Sequence, residues 1–201
     1  MLLEVLVTGL LSPEMIALGA PRIEQLQAVA ARKGVTLDIQ PLRHSTLTPT
    51  VEQIASEIGC GIGQVVSASI YVAPLSRGLL KPIMCLTAGR GAIDLELLAA
   101  VIGEVEVRVA TAREAHDLLN CSPGMVPAFG YRRDVLVVMD RDLGGYQWVW
   151  APTGLASAVF RISPSTLRML SNATVALVTT ASTVASLPSF DSSSVLRFGA
   201  A

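Results

Sequence analysis

Lysine is nearly missing from this chain: Lys33 and Lys81 are the only two in 201 residues, and charged side chains of all kinds make up 15%. With 15 basic against 16 acidic residues the formal net charge is −1. That balance leaves no footprint for tight non-specific binding to nucleic acid, because such affinity comes from neutralised phosphates; DNA is not expected as a partner, whereas a small basic patch is allowed. Histidine is equally scarce, at His44 and His116, and Cys60, Cys85 and Cys121 form no CxxC pair or Cys/His cluster. Neither a zinc site nor a disulfide framework is expected, and without clustered carboxylates no metal and no cofactor is predicted. Three unpaired thiols suit a reducing cytoplasm. The opening MLLEVLVTGLL lacks a positive segment, and Glu4 interrupts the apolar run that a signal peptide needs. Residues 169–190 carry no charge, yet their Ser, Thr and Asn content is too high for a spanning helix of about 20 mainly apolar residues. A soluble, cytoplasmic protein without a membrane partner is expected.

What is present is apolar: 51% of the residues are hydrophobic, enough for a single domain with a sizeable core. Pro21, followed by Ile23, Leu26, Val29 and Ala30 at helical spacing, predicts a helix over 21–33 that Gly34 ends, and alternating Val35, Leu37 and Ile39 predict a strand before Pro41. Thr50-Val-Glu-Gln53 and Thr111-Ala-Arg-Glu114 are capping boxes opening two helices, and Asp94 caps a third over 95–102 that ends at Gly103. Apolar, β-branched runs predict strands at 64–72, 83–87, 135–139, 148–150 and 158–162, with a half-exposed one at 105–109. Ser163-Pro164 opens a last helix, through Leu170. Strands and helices mixed without a strict βαβ rhythm predict an α/β, mixed α+β, domain around one curved sheet. Residues 1–49 are read as an added helix and strand, 50–181 as the main domain and 182–201 as a Ser/Ala-rich tail.

From Thr50 to about Leu170 the chain resembles the YbaK/ProX family of aminoacyl-tRNA editing domains. The carrying residues are the capped stretch Thr50 to Gly59, the run Gln64-Val-Val-Ser-Ala-Ser-Ile70, Gly89 with Ile93-Asp94-Leu95, and above all Pro123-Gly124-Met125-Val126-Pro127-Ala128-Phe129-Gly130, followed by a hydrophobic strand ending in Asp140, then Gly154 and Pro164. The resemblance implies a mixed sheet curled into a partly closed barrel with helices outside. It implies hydrolysis, in trans, of the ester joining a wrong small amino acid (cysteine, alanine, serine or proline-like) to transfer RNA, with the aminoacyl-tRNA acceptor end as partner.

On that reading Gly124 supplies backbone amides to a developing oxyanion and Asp140 orients the substrate amine or the reacting water. His44, Thr50, Ser67, Met125, Val126, Pro127, Phe129, Gly130 and Gly154 line the substrate pocket. His116 belongs to the charged face of an amphipathic helix. The departures are as informative. Catalytic branches of the family carry a lysine where this chain has Ser67, and a hydroxyl cannot replace an ammonium charge. Ala128 stands where the family usually has proline, and Asn120 and Met125 where glycines are common. Lys81, at the mouth of the next strand, is a conceivable substitute. Arg43, Arg77, Arg90, Arg132 and Arg133 flank the pocket segments as candidate phosphate contacts. The alternative is a paralogue that kept the fold, lost catalysis, and binds an aminoacyl or nucleotide-like ligand or a protein partner.

Overall fold

The structure, a computed structural model, describes residues 13–43, 48–122, 124, 126–131 and 135–180, with side chains from residue 21 onward. In chain order these form α1 (Pro13–Ala31), β1 (Asp38–Pro41), α2 (Val51–Ile58), β2 (Val66–Pro74), β3 (Leu80–Ala88), α3 (Leu95–Ile102), β4 (Arg108–Val109), α4 (Ala112–Leu119), β5 (Leu136–Asp140), β6 (Val149–Leu155), β7 (Ala158–Ile162), α5 (Pro164–Ser171) and β8 (Thr174–Ala176). The Ser/Ala-rich tail lies outside the described residues.

Local chemistry explains the helix ends. Thr50 and Thr111 each accept the N3 amide while Gln53 and Glu114 reach back to the cap amide, and Asp94 accepts from both Glu96 and Leu97. Gly59 and Gly103 close their helices in the left-handed region. The first helix departs from the sequence reading. It begins at Pro13, so Pro21 lies inside it instead of in its first turn, at a position where proline removes one i→i−4 bond. The strand expected over 105–109 shrinks to Arg108–Val109, held beside β2 by Tyr71 and Val72. The sequence reading gives no strand at β8: this short, exposed Thr-Val-Ala stretch becomes a strand by parallel pairing with β5, Val138 to Thr174 through Asp140 to Ala176.

Two sheets result, with orders β1-β7-β6 and β4-β2-β3-β5-β8. Only a single parallel bridge, Val65 to Trp150, joins them by hydrogen bonding among the described residues, so they do not close into a barrel. Alternation along the strands sorts the side chains into layers. Val66, Ile70, Met84, Leu86, Val137 and Met139 of the larger sheet meet Val149, Ala151, Phe160 and Ile162 of the smaller one in the main core, which Leu26 of α1, Leu119 of α4 and Leu167 of α5 complete. The opposite face of the larger sheet, with Tyr71, Ile83, Cys85 and Val138, packs on Leu98 of α3. The outer face of the smaller sheet, with Trp150 and Val159, is covered by Ile54 and Ile58 of α2. α1 and β1 share this core: β1 pairs with β7 from Asp38 to Pro41, and Leu26 and Ala30 are 1% and 0% exposed. None of the described helices is long and apolar enough to cross a membrane.

Arg108 and Glu114 tie β4 to α4 by two parallel hydrogen bonds of 2.8 and 2.7 Å, and the same carboxylate accepts the Thr111 amide at 2.8 Å. The Arg108 guanidinium first, then the Thr111 amide, hold the Glu114 carboxyl down at about 2, against an ordinary 4.5. A lowered carboxyl stabilises the fold above its unfolded value and loses that contribution as pH falls toward the folded one. The Glu114 side-chain carboxyl should therefore titrate near pH 2 by NMR, and Arg108→Ala should move its midpoint up toward 4.5.

Candidate functional site

The glycine-containing stretch after α4 runs from an exposed rim into the main core. Asn120 ends α4 in the left-handed region, φ 53°. Gly124, exposed and at φ 76°, packs so near Thr48 that a Cβ there would stand 2.9 Å from the threonine Cγ2. Beyond it Val126, Ala128 and Phe129 are buried at 4%, 0% and 1% exposure, and the Phe129 ring meets Phe160 edge-on at 5.6 Å. The loop is fastened to β6 twice. The Ala128 amide donates to the Pro152 carbonyl at 3.0 Å, and Pro127 lies against Gly154. Gly154 belongs to a bulge in the β6–β7 pairing between Pro152 and Leu155, where Thr153 turns its hydroxyl to the Ala158 carbonyl at 2.7 Å. Tyr131 folds back to donate its hydroxyl to the Pro127 carbonyl, and burial pushes that phenol well above its usual range.

The Ala128 amide is thus occupied. Among the described residues, none accepts a hydrogen bond from the amides of Val126, Phe129 or Gly130. Backbone donors of this kind, in a loop whose conformation is set by packing, are what a developing oxyanion requires.

Asp140 is placed elsewhere. By alternation it faces α3 with Val138, and continuing the β3–β5 register beyond Leu86 and Met139 puts it beside Thr87, the cross-strand partner of Ser67. Ser67, Thr87 and Asp140 thus form a row across β2, β3 and β5, on the face of the larger sheet opposite the 124–130 loop's packing partners. The Asp140 carboxylate is 0% exposed. One oxygen accepts the Asp142 amide at 2.9 Å; the other accepts the Val178 and Thr179 amides, both at 3.1 Å, and the Thr179 hydroxyl at 3.0 Å. It anchors the chain after β8 to the end of β5. Burial, then the neighbouring Asp140 charge, raises the Cys85 thiol to about 12.

Ser67 donates its hydroxyl to the Gly89 carbonyl at 2.6 Å. Lys81 is no substitute for the family lysine: it pairs across to Ala73, while Ser67 pairs with Thr87, so six strand residues, roughly 20 Å, separate them. Its ammonium is bound to Glu104 at 2.8 Å. Arg90, directly after Gly89, pairs its guanidinium with Glu52 of α2 and is 72% exposed. Thr50 is an exposed helix cap two residues from Thr48. His116 is exposed beside Asp117, at 3.6 Å. His44, Met125, Arg132 and Arg133 lie outside the described residues. No group of three His, Cys, Asp or Glu side chains that would hold a metal occurs among the described residues.

Two contacts from α1 had no signal in the sequence. The Arg22 guanidinium donates to the Asn120 carbonyl at 3.2 Å, and the Gln25 side-chain amide donates to the Gly130 carbonyl. Both link residues about a hundred positions apart, which no local pattern reports.

A family model for an aminoacyl-tRNA editing domain matches residues 46–170. Over 96 residues, 48% of this chain, the sequence is 26% identical to a proline–tRNA ligase of Limosilactobacillus fermentum (strain NBRC 3956 / LMG 18251), spanning only 17% of that relative's length. Among solved structures, one described as a candidate trans-editing enzyme for prolyl tRNA synthetase is 29% identical with a TM-score of 0.70, covering 80% of this chain and 98% of the other. Another, described as a hypothetical protein, is 22% identical with a TM-score of 0.69 over 78% and 99% of the two chains, a likeness of fold alone.

Proposed function

Because the chain belongs to the aminoacyl-tRNA editing domain family, we propose that it acts in trans, in the cytoplasm, to deacylate a transfer RNA that carries a wrong small amino acid, of the size of cysteine, alanine, serine or proline. Water adds to the ester carbonyl carbon, the bond from that carbon to the ribose oxygen breaks, and a proton ends on the released hydroxyl. An aminoacyl ester is already reactive, so placing water and stabilising the oxyanion can be enough. The observation that carries this reading is the 124–130 loop. Its amides at Val126, Phe129 and Gly130 have no acceptor among the described residues, while Pro127 and Ala128 are fastened to β6.

In this reading Gly124 and Gly130 let the loop turn, Val126, Pro127 and Phe129 shape the wall for a small side chain, and Gly154 seats the loop. Thr50 belongs to the rim, and His44 and Met125 are assigned as substrate contacts from the sequence alone. Asp140 acts as a positioning residue, through the segment it anchors. Arg90 takes the charge role that Ser67 leaves empty, meeting acceptor-end phosphate. Among alanyl-, cysteinyl-, seryl- and prolyl-tRNA, the purified protein should release one amino acid well above buffer. Gly124→Ala should slow that release roughly a hundredfold by displacing backbone donors, and Arg90→Ala should raise KM with little change in kcat.

A second reading is favoured by Ser67, whose hydroxyl is already spent on Gly89, with Lys81 held far away by Glu104. A paralogue without hydrolysis would bind an aminoacyl or nucleotide-like ligand in the same pocket. Folded protein that releases none of the four amino acids, yet binds uncleavable aminoacyl-adenosine analogues, would establish it.

A further inference from the structure

We propose that α1 is a clamp that sets the hydrolytic loop, with Arg22 and Gln25 as its positioning residues. This rests on reading the 124–130 loop as the oxyanion-binding element, and assigns a task to a helix that lies ahead of the matched residues 46–170.

Arg22 and Gln25 stand three residues apart on α1, so their side chains leave from one face. They grip the two ends of one excursion of the chain. Arg22 donates to the carbonyl of Asn120, where α4 stops, and Gln25 donates to the carbonyl of Gly130, where the chain leaves the core at φ 88°. Leu26, 1% exposed, fills the space beside Gly130 so closely that a Cβ there would meet its Cδ2 at 3.2 Å. The Arg22 charge also bears on the Cys121 thiol and the Tyr131 phenol, the residues just inside and just outside the same two carbonyls.

A carbonyl held by a side chain fixes its whole peptide plane, because the peptide unit is rigid. Fixing the planes at both ends anchors the stretch that carries the Val126, Phe129 and Gly130 amides, for which no acceptor occurs among the described residues. Tyr131 adds a third tie, from outside the loop back to the Pro127 carbonyl.

The test separates donation from bulk. Gln25→Glu keeps the shape and removes the donor, whereas Gln25→Lys keeps a donor on a stem of similar reach. The reporter is the Ala128 amide, bonded to the Pro152 carbonyl at 3.0 Å, followed by hydrogen exchange. Gln25→Glu and Arg22→Ala should each speed its exchange roughly five- to tenfold, the size of one lost hydrogen bond, and Gln25→Lys should restore it toward the unsubstituted rate. In deacylation the same two variants should lower kcat and leave KM unchanged, with Gln25→Lys rescuing kcat. Unchanged Ala128 exchange in folded Gln25→Glu and Arg22→Ala overturns the clamp. If the unsubstituted protein deacylates nothing, the hydrolytic reading fails alone, and the exchange rates still decide the clamp. Should Gln25→Glu not fold, Arg22→Ala with Arg22→Lys as its rescue decides it in the same way.

Discussion

Asp140→Ala is expected to lower the thermal unfolding midpoint by roughly 10 °C, which for a domain of this size corresponds to about 4 kcal/mol. The magnitude follows from what the side chain holds. Removing the carboxylate leaves the amides of Asp142, Val178 and Thr179 and the Thr179 hydroxyl without their acceptor. A buried donor left unmade costs about 1–3 kcal/mol, and water entering the gap recovers part of the sum. Asp140→Asn keeps one oxygen but turns an amide donor toward other donors, so it should be nearly as costly. Thr179→Val removes only one of the four bonds and should cost about 1 kcal/mol. Thermal melts of the three variants, with deacylation measured well below each midpoint, distinguish the roles open to Asp140. A positioning anchor loses stability and activity together. If Asp140→Asn abolishes deacylation while its midpoint stays unchanged, the carboxylate instead touches the substrate, and the buried network would have to open during turnover.

Gly154→Ala is expected to lower deacylation roughly a hundredfold, as much as Gly124→Ala, through a single added carbon. Gly154 sits at φ 85°, and a Cβ would stand 3.0 Å from Pro127 Cδ, 3.2 Å from its Cβ and 3.2 Å from its nitrogen. The left-handed backbone alone costs a non-glycine residue about 1–2 kcal/mol, and overpacking a filled site adds about 1–3 kcal/mol. Neither the Pro127 ring nor its backbone nitrogen has a rotamer to retreat into. The strain is therefore relieved by moving the 124–130 loop, and a displacement of about 1 Å at a reacting centre is enough for a loss of 10²-fold. The loss should appear in kcat, together with faster exchange at the Ala128 amide. A Gly154→Ala protein that melts lower but keeps full kcat would show that the loop amides take no part in hydrolysis.

Local signals and global ones divide cleanly along this chain. The capping boxes at Thr50 and Thr111, the Asp94 cap and the helix ends at Gly59 and Gly103 were legible because each is settled within about four residues. The strands at 135–139 and 158–162 were legible because their apolar runs permit little else. The 124–130 loop could be singled out, since glycine and proline announce an unusual backbone, and its motif carried the family resemblance. Pro21 misled because proline is common at a helix start, and the start is instead marked by the same Ser-Pro signal eight residues earlier, at Ser12-Pro13. β8 was invisible because Thr174, Val175 and Ala176 become a strand only through pairing with β5.

The sequence by itself determined the family, the places where the backbone must turn, and the absence of an ammonium group at position 67. Only the tertiary structure decided which of the candidate residues share a space. Alternation and register put Ser67 and Asp140 on the α3 side of the larger sheet, while the loop packs on the other side. The same packing brought Arg22 and Gln25 to the two ends of a loop about a hundred residues away. Which face a strand residue takes, and which carbonyl a distant amide finds, depend on pairings between segments far apart in the chain, so they are set when the sheets and α1 close around a common core.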